Sequence, residues 1–193
     1  MPADENILKL PEILERKTVY RGRKIDLELL TIRTPDGHQA LREVIRHRGA
    51  VVLLPITPDG QVVFVRNVRI GLGRVLLELP AGTIDEGESP ADCAARELTE
   101  ETGYTAGCIE PLVAFFTSPG VMSEKISAYV ATGLQPGPQR LDEGEQLVTE
   151  LIGYDEAIAM CRAGRFDDAK TIATLLTHWL RKLPAGAPTG SVP

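Results

Sequence analysis

Three glutamates lie close together in a segment with helical periodicity. Glu97, Glu100 and Glu101 are spaced three and four positions apart, so an α-helix presents all three carboxylates on one side. Like charges at this spacing destabilise a helix by roughly 0.2–0.5 kcal/mol per pair. Arg96 supplies one positive charge within a turn of Glu100, which leaves an excess of negative charge. Carboxylate oxygens grouped in this way suit a hard divalent cation, Mg²⁺ or Mn²⁺.

The residues around the glutamates predict a helix with defined ends. Ser89 suits the N-cap, Pro90 the first helical position and Asp92 the capping position, and Gly103 suits the C-terminal end. An apolar stripe beside the glutamates would face the core, at Ala91, Ala94, Ala95, Leu98 and Thr102. The glutamates are also compatible with a solvated acidic helix face, which is the commoner situation for surface helices. The helix alone does not distinguish a metal site from a solvated face.

The composition is that of a single globular domain. The chain has 193 residues, of which 43% are apolar and 25% are charged, and this length can bury a core without cross-links. Its 21 basic and 27 acidic residues give a net charge of −6, which disfavours non-specific nucleic-acid binding. The sequence shows neither a secretory signal nor a membrane-spanning stretch, and its three cysteines are far apart. We therefore expect a cytoplasmic protein with no nucleic-acid or membrane partner.

Extended segments flank the predicted helix on both sides. Residues 27–33 and 39–46, joined by a turn sequence at 34–37, predict an antiparallel β-hairpin. Residues 50–57 are a continuous apolar run, typical of a strand buried on both faces. Other predicted strands are 61–66, 75–79, 112–117, 126–131 and 148–152, and further helices are 155–163 and 167–183. This order predicts an α+β fold, in which helices pack on a mixed β-sheet.

A longer motif surrounds the three glutamates. Residues 82–104 resemble the Nudix box, G-x5-E-x7-R-E-U-x-E-E-x-G-U, where U is a bulky apolar residue. The nine specified positions are filled by Gly82, Glu88, Arg96, Glu97, Leu98, Glu100, Glu101, Gly103 and Tyr104, the last being aromatic rather than aliphatic. An accidental match is on the order of one in ten million at average residue usage. The resemblance implies the Nudix fold, an α/β/α sandwich.

Four residues of this motif have structural interpretations. Gly82 and Gly103 would allow turn geometry at the two ends of the loop–helix unit. Glu88, next to the helix start, would pair with Arg96 and fix the loop. We therefore expect these positions to support the site rather than to carry the chemistry.

The flanking sequences are similar to the ADP-ribose pyrophosphatase branch of the Nudix superfamily. Residues 78–82 and 118–124 match this branch, and Pro119 lies 15 residues past the box. Shorter similarities occur at 20–23, 42–43, 65–69 and 168–171, with a departure at Asn67 and Val68. The resemblance implies four regions: a flexible N-terminus at 1–17, a β-extension at 18–48 for dimerisation and substrate binding, the Nudix domain at 49–183 and a flexible tail at 184–193.

The resemblance also implies metal ligands. The backbone carbonyl of Ala81, together with Glu97 and Glu101, would hold Mg²⁺, for which Mn²⁺ could substitute, and Glu100 would assist. Glu124 would be the general base or a further metal ligand. Taken without the family pattern, Glu124 is an ordinary loop glutamate.

Substrate contacts follow from the same resemblance. Arg69 and Arg42 would contact the diphosphate, with Arg42 reaching across a homodimer, and Glu78 would contact the terminal sugar or a bound water. Taken without the family pattern, an ordinary role in covering apolar surface or in a surface ion pair is favoured for either arginine. His38 and His47 have no evident partner and are expected to be ordinary surface residues.

The function implied is Mg²⁺-dependent hydrolysis of a nucleoside diphosphate sugar, with ADP-ribose giving AMP and ribose 5-phosphate. Two alternatives remain at this stage. The substrate could be another sugar nucleotide, such as GDP-mannose, or a dinucleotide. A protein of another class, a Nudix-fold ligand-binding regulator without catalysis, would have no need to keep the charge cluster at Glu97, Glu100 and Glu101.

Overall fold

The computed structural model of the protein describes residues 8–184. Its strands are β1 (Glu12–Arg21), β2 (Ile25–Arg33), β3 (Gln39–His47), β4 (Ala50–Pro55), β5 (Gln61–Arg69), β6 (Arg74–Glu78), β7 (Ala81–Thr83), β8 (Tyr104–Thr105), β9 (Cys108–Phe116), β10 (Lys125–Thr132), β11 (Gln135–Pro136) and β12 (Leu147–Gly153). Its helices are α1 (Pro90–Thr102), α2 (Tyr154–Arg162) and α3 (Ala169–Lys182), and a short 3₁₀ turn covers Ile70–Leu72.

Strand β4 lies at the centre of the fold. It belongs to a mixed sheet of order β7-β4-β10-β9, in which β10 is parallel to β4 and the other pairs are antiparallel. All six of its residues are buried, as the continuous apolar run predicts. Alternate side chains point to opposite faces: Val51 and Leu53 pack with α1, while Val52 and Leu54 pack with α2 and α3.

A second antiparallel sheet, of order β12-β5-β6, completes the layered core. Helix α1 lies on one side and helices α2 and α3 lie on the other. The predicted α+β sandwich, with helices flanking mixed strands, is therefore confirmed. No helix within residues 8–184 is both long and apolar enough to cross a bilayer.

Helix α1 has the ends that the sequence predicts. The Asp92 backbone N–H donates to the Ser89 side chain at 3.2 Å, and Gly103 ends the helix in the left-handed conformation, at φ +75°. The predicted apolar stripe is wrong at Ala91 and Ala95, which are exposed. The residues that α1 buries are Cys93, Ala94, Leu98, Glu101 and Thr102. The helix is rotated so that one edge of its acidic face turns towards β7.

The N-terminal region forms a three-stranded antiparallel sheet of order β1-β2-β3. The predicted hairpin corresponds to β2 and β3. Residues 12–17, expected to be flexible, instead lie in β1, because backbone pairing with β2 orders a strand whose side chains are mostly exposed. A buried Glu28, paired with Arg16 and with Arg46, further connects the three strands. Residues 1–7 and 185–193, including most of the predicted tail, lie outside the described residues.

Candidate functional site

A polar cavity of about 600 Å³ opens where α1, β7 and the start of α3 meet. Its acidic lining residues include Glu97, Glu100, Glu101 and Glu124. Its basic lining residues include Arg23, Lys24, Arg48, Arg69 and Lys170. Carboxylates and cations therefore face one space, which suits a ligand that carries phosphates together with a metal ion.

Glu101 is the most buried of these carboxylates, with 5% of its surface exposed. The Ala81 backbone N–H donates to Glu101 Oε2 at 2.9 Å and holds the side chain against β7. Burial raises the pKa of Glu101 to about 8, despite the opposing effect of this hydrogen bond. Burial also raises the pKa of Glu97. Because burial disfavours the charged forms of Glu97 and Glu101, a positive charge bound nearby would stabilise both carboxylates.

Gly82 has a different role from the one its sequence position suggests. It lies within β7 and not in a turn, so the predicted turn role is wrong. A Cβ atom at residue 82 would lie 1.8 Å from the Glu97 carboxyl carbon. A side chain at this position would displace the Glu97 carboxylate, which packs directly on the strand backbone.

Arg96 is the centre of an ion-pair network on α1. Its Nε and Nη2 atoms donate to Glu88 at 2.8 and 2.9 Å, which is the predicted pair. Its Nη1 atom donates to Glu97 at 2.8 Å and to Glu100 at 2.9 Å. Hydrogen bonding to Arg96 lowers the pKa of Glu88 to about 2, and Glu88 also accepts from the Asp85 backbone N–H at 3.0 Å. Glu88 thus attaches the loop before α1 to the helix.

Each of the three helix carboxylates has a hydrogen-bond donor from the protein as its partner. No three His, Cys, Asp or Glu side chains in the described part of the chain converge as a complete ligand set. Glu97 and Glu100 are bound to Arg96, and Glu101 is bound to the Ala81 backbone. The donor set nevertheless fits a hard divalent cation, because all of these donors are carboxylate oxygens on a single cavity wall.

Glu124 faces the same cavity from the loop between β9 and β10. Thr117 Oγ1 donates to Glu124 Oε2 at 2.8 Å, and His47 Nε2 lies 3.6 Å from Glu124 Oε1. The His47 side chain is only 8% exposed, so the expectation that it is an ordinary surface residue is wrong. The sequence could not reveal this pair, because its members are brought together by contact between β3 and a distant loop.

A second buried network lies beneath the cavity. Glu78, 1% exposed, accepts from Arg69 Nε at 2.7 Å, from Arg69 Nη2 at 2.5 Å and from Lys170 Nζ at 2.5 Å. Lys170 also binds Asp168 at 2.8 Å. Burial alone would raise the pKa of Glu78, but Arg69 and Lys170 together lower it. The Glu78 carboxylate is therefore committed to these two cations, both of which line the cavity.

The structure does not bring every predicted residue together. Arg42 is exposed on β3, where its Nη1 donates to the Leu41 carbonyl oxygen at 2.9 Å, and it does not line the cavity of its own chain. Four cavity cations had no predicted role, namely Arg23, Lys24, Arg48 and Lys170. Arg23 and Lys170 lie in the family-like segments 20–23 and 168–171, which could have identified them, whereas no sequence feature pointed to Lys24 or Arg48.

Known proteins resemble this chain over most of its length. The NUDIX domain family matches residues 45–175. The ADP-ribose pyrophosphatase of Bacillus subtilis (strain 168) is 36% identical over 165 residues, covering 82% of this chain and 89% of that protein. The methanol dehydrogenase activator of Bacillus methanolicus is 37% identical over 168 residues, covering 83% and 91%. A crystal structure of an ADP compounds hydrolase has a TM-score of 0.79 at 28% identity, covering 90% and 96%. Because the domain match spans more than half of the chain and these relatives align almost end to end, the chain belongs to the Nudix family.

Proposed function

We propose that the protein hydrolyses the diphosphate linkage of a nucleoside diphosphate sugar in the presence of Mg²⁺, with ADP-ribose giving AMP and ribose 5-phosphate. The observation that carries the proposal is the cavity in which Glu97, Glu101 and Glu124 face Arg69 and further cations. Such a surface suits a diphosphate, which needs cations around its oxygens and a carboxylate for proton transfer. Similarity to an ADP-ribose pyrophosphatase supports this substrate.

Glu97, Glu100, Glu101 and the Ala81 carbonyl are the groups that would hold the metal. When bound, Mg²⁺ withdraws charge from the diphosphate oxygens and so favours attack at phosphorus. The chain's own contribution is to orient these donors: Gly82 leaves space for Glu97, and the Ala81 N–H fixes Glu101. Rotation of Glu97 and Glu100 away from Arg96 would free their oxygens for the metal.

Glu124 and Arg69 have complementary roles in the proposal. Glu124 accepts the proton of the attacking water, for which it needs to lie within hydrogen-bond reach. Arg69 uses Nε and Nη2 to bind Glu78, which leaves Nη1 for a phosphate oxygen. A guanidinium fixed on one edge by a buried carboxylate loses little freedom when it binds a ligand.

The test is turnover of a defined substrate panel by the purified protein. ADP-ribose, GDP-mannose and a dinucleotide are incubated with Mg²⁺ or with EDTA, and products are quantified by chromatography. We expect equal amounts of AMP and ribose 5-phosphate from ADP-ribose, only with the metal. Rapid turnover of another diphosphate without turnover of ADP-ribose would contradict the substrate assignment.

A regulatory role is the second candidate, and similarity to a protein named methanol dehydrogenase activator favours it. A pure binder would not need Glu97, Glu100 and Glu101 crowded on one helix, because their mutual repulsion costs stability. Calorimetric binding of ADP-ribose with Mg²⁺ and no product formation would support this candidate over hydrolysis.

The exposed residues of the protein also bear on its oligomeric state and its cellular compartment. We propose a homodimer, because Arg42 and several apolar side chains of the N-terminal sheet, including Val19, Tyr20 and Leu41, are exposed away from the chain's own cavity. We also propose a reducing compartment such as the cytoplasm, since Cys108 is a free and exposed thiol.

A further inference from the structure

We propose that His47 is a positioning residue for Glu124, fixing the orientation in which that carboxylate works. This inference rests on the proposed function, in which Glu124 accepts a proton. His47 is the final residue of β3 and its side chain is 8% exposed, while Glu124 is 20% exposed at the cavity wall. Nε2 of His47 lies 3.6 Å from Oε1 of Glu124, just beyond hydrogen-bond distance.

The hydrogen bond that His47 accepts determines which of its two ring nitrogens carries the proton. The Gly49 backbone N–H donates to His47 Nδ1 at 3.0 Å, so Nδ1 uses a lone pair and carries no hydrogen. The proton of the neutral ring must therefore be on Nε2, the atom that faces Glu124. The imidazole consequently presents a donor, and not an acceptor, to the carboxylate.

Glu124 has a neighbouring group on each of its two oxygens, a hydrogen bond on one and the imidazole near the other. Thr117 Oγ1 donates to Oε2 at 2.8 Å, and the His47 Nε2–H faces Oε1. A contact on only one oxygen would leave the carboxylate free to rotate about its last bond. With Oε2 hydrogen-bonded to Thr117 and the imidazole beside Oε1, one orientation of the carboxylate is favoured relative to the cavity, which is the function of a positioning group.

The backbone connects the same two segments. Ile45 N–H donates to the Val121 carbonyl at 2.8 Å, and Ser123 N–H donates to the Ile45 carbonyl at 2.9 Å. The His47 N–H also donates to Ser123 Oγ at 3.0 Å. The end of β3 therefore anchors the loop that carries Glu124, and the N-terminal sheet contributes to the site within its own chain.

Two substitutions of His47 distinguish a role in positioning Glu124 from a role in supporting only the Gly49 backbone. His47→Asn keeps an acceptor near the Nδ1 position for the Gly49 N–H but removes the donor that faces Glu124. His47→Gln keeps an amide donor near the Nε2 position and removes the Nδ1 acceptor. If His47 positions Glu124, His47→Asn should lower the activity more than His47→Gln. If His47 only supports the Gly49 backbone, His47→Gln should lower it more.

The experiment measures kcat and KM for ADP-ribose with saturating Mg²⁺, together with thermal unfolding. We expect His47→Asn to lower kcat by about 10- to 100-fold with KM changed less than about twofold, as for loss of an orienting group. His47→Gln should recover most of that loss. His38→Asn, in an exposed turn, is the matched control and should behave as the wild type.

Glu124→Gln completes the test as a double-mutant cycle. Adding His47→Asn to Glu124→Gln should cause no further loss of kcat. An equal loss in both backgrounds, or a larger loss in His47→Gln than in His47→Asn, would overturn the inference while leaving the proposed function intact. Wild-type kcat in Glu124→Gln would instead remove Glu124 from the proposed mechanism, and the role of His47 with it.

Discussion

The Glu97 carboxylate fills the space in which residue 82 would carry a side chain. A Cβ atom on Gly82 would approach the Glu97 carboxyl carbon to 1.8 Å, although real Cβ contacts essentially never fall below 3.0 Å. Because Gly82 belongs to β7 and Glu97 to α1, this contact sets how closely an acidic side chain can lie against the strand. The glycine of the motif is thus explained by a carboxylate and not by backbone conformation.

Gly82→Ala is expected to remove most of the activity from a protein that still folds. The new methyl group displaces the Glu97 carboxylate, which is the end of a flexible side chain, so we expect little change in stability. We expect kcat for ADP-ribose to fall about 100-fold, since displacing a functional group by about 1 Å can cost that much. Gly153→Ala is the control, because its Cβ would meet no atom within 4 Å. Wild-type kcat in Gly82→Ala would show that this contact is dispensable.

Glu101→Gln separates a functional role of Glu101 from a structural one. Glutamine keeps an acceptor for the Ala81 N–H and replaces a carboxyl group whose charged form is disfavoured by burial, so the melting temperature should be unchanged or higher. We expect kcat to fall roughly a thousandfold, because a lost metal ligand removes several kcal/mol of transition-state stabilisation. Steady-state kinetics and calorimetry measure the two effects. Glu110→Gln, exposed on β9, is the control; full activity in Glu101→Gln would exclude Glu101 from the site.

The ends of helix α1 could be predicted from the sequence, whereas the face that it buries could not. Ser89 and Gly103 define the helix ends through contacts within a few residues, so the sequence contains the necessary information. The buried face depends on what packs against the helix. Ala95 is exposed while Glu101 is buried against β7, and no apolar periodicity would place a glutamate there.

Side-chain pairs between residues distant in the sequence are the second feature that could not be predicted. His47 and Lys170 both support the candidate site, but their partners Glu124 and Glu78 are far away along the chain. Such pairs arise from tertiary packing, which neither spacing nor composition encodes. Family-like segments identified the region around Lys170, whereas nothing in the sequence singled out His47.

The Glu88–Arg96 pair predicts a pH-dependent contribution to stability. Arg96 lowers the pKa of Glu88 to about 2, from an ordinary value of 4.5, so the folded state favours the carboxylate form. The stabilisation is complete above pH 4.5 and is lost as pH falls towards 2. Glu88→Gln should therefore reduce the free energy of unfolding by about 1 kcal/mol at pH 7, a value discounted for solvent screening.

Denaturant unfolding measured between pH 7 and pH 3 tests this expectation. The difference between wild type and Glu88→Gln should shrink steadily below pH 4.5. Glu86→Gln, exposed in the same loop, should stay within about 0.5 kcal/mol of the wild type at pH 7. A difference for Glu88→Gln that is constant across this range would contradict the assigned ion pair.

Lys170 balances charge beneath the cavity. Lys170→Met would leave Glu78 and Asp168 with Arg69 as the remaining cation of the network. Removing one partner of a buried ion pair costs about 3–5 kcal/mol, so we expect a loss of this size in urea unfolding. Adding Glu78→Gln to Lys170→Met should recover part of the loss. No recovery in the double variant would mean that Lys170 stabilises the fold by another route.

The N-terminal sheet predicts a dimer with shared sites. Light scattering should give about twice the chain mass of 21.0 kDa. Arg42 is exposed on β3 and does not line its own cavity, so it would complete the diphosphate site only from a partner subunit. Arg42→Ala should then lower kcat/KM for ADP-ribose without lowering the melting temperature.

Mixed dimers provide the decisive measurement for Arg42. When Arg42→Ala and Glu101→Gln chains are co-expressed in equal amounts, random pairing gives hybrid dimers in about half of cases, each with one intact composite site. Activity should therefore recover to about a quarter of the wild-type value, well above either variant alone. If Arg42 acts within its own chain, no composite site can form and mixing will give only the average of the two variants. An active monomer would likewise exclude a shared site, because a single chain leaves Arg42 outside the cavity.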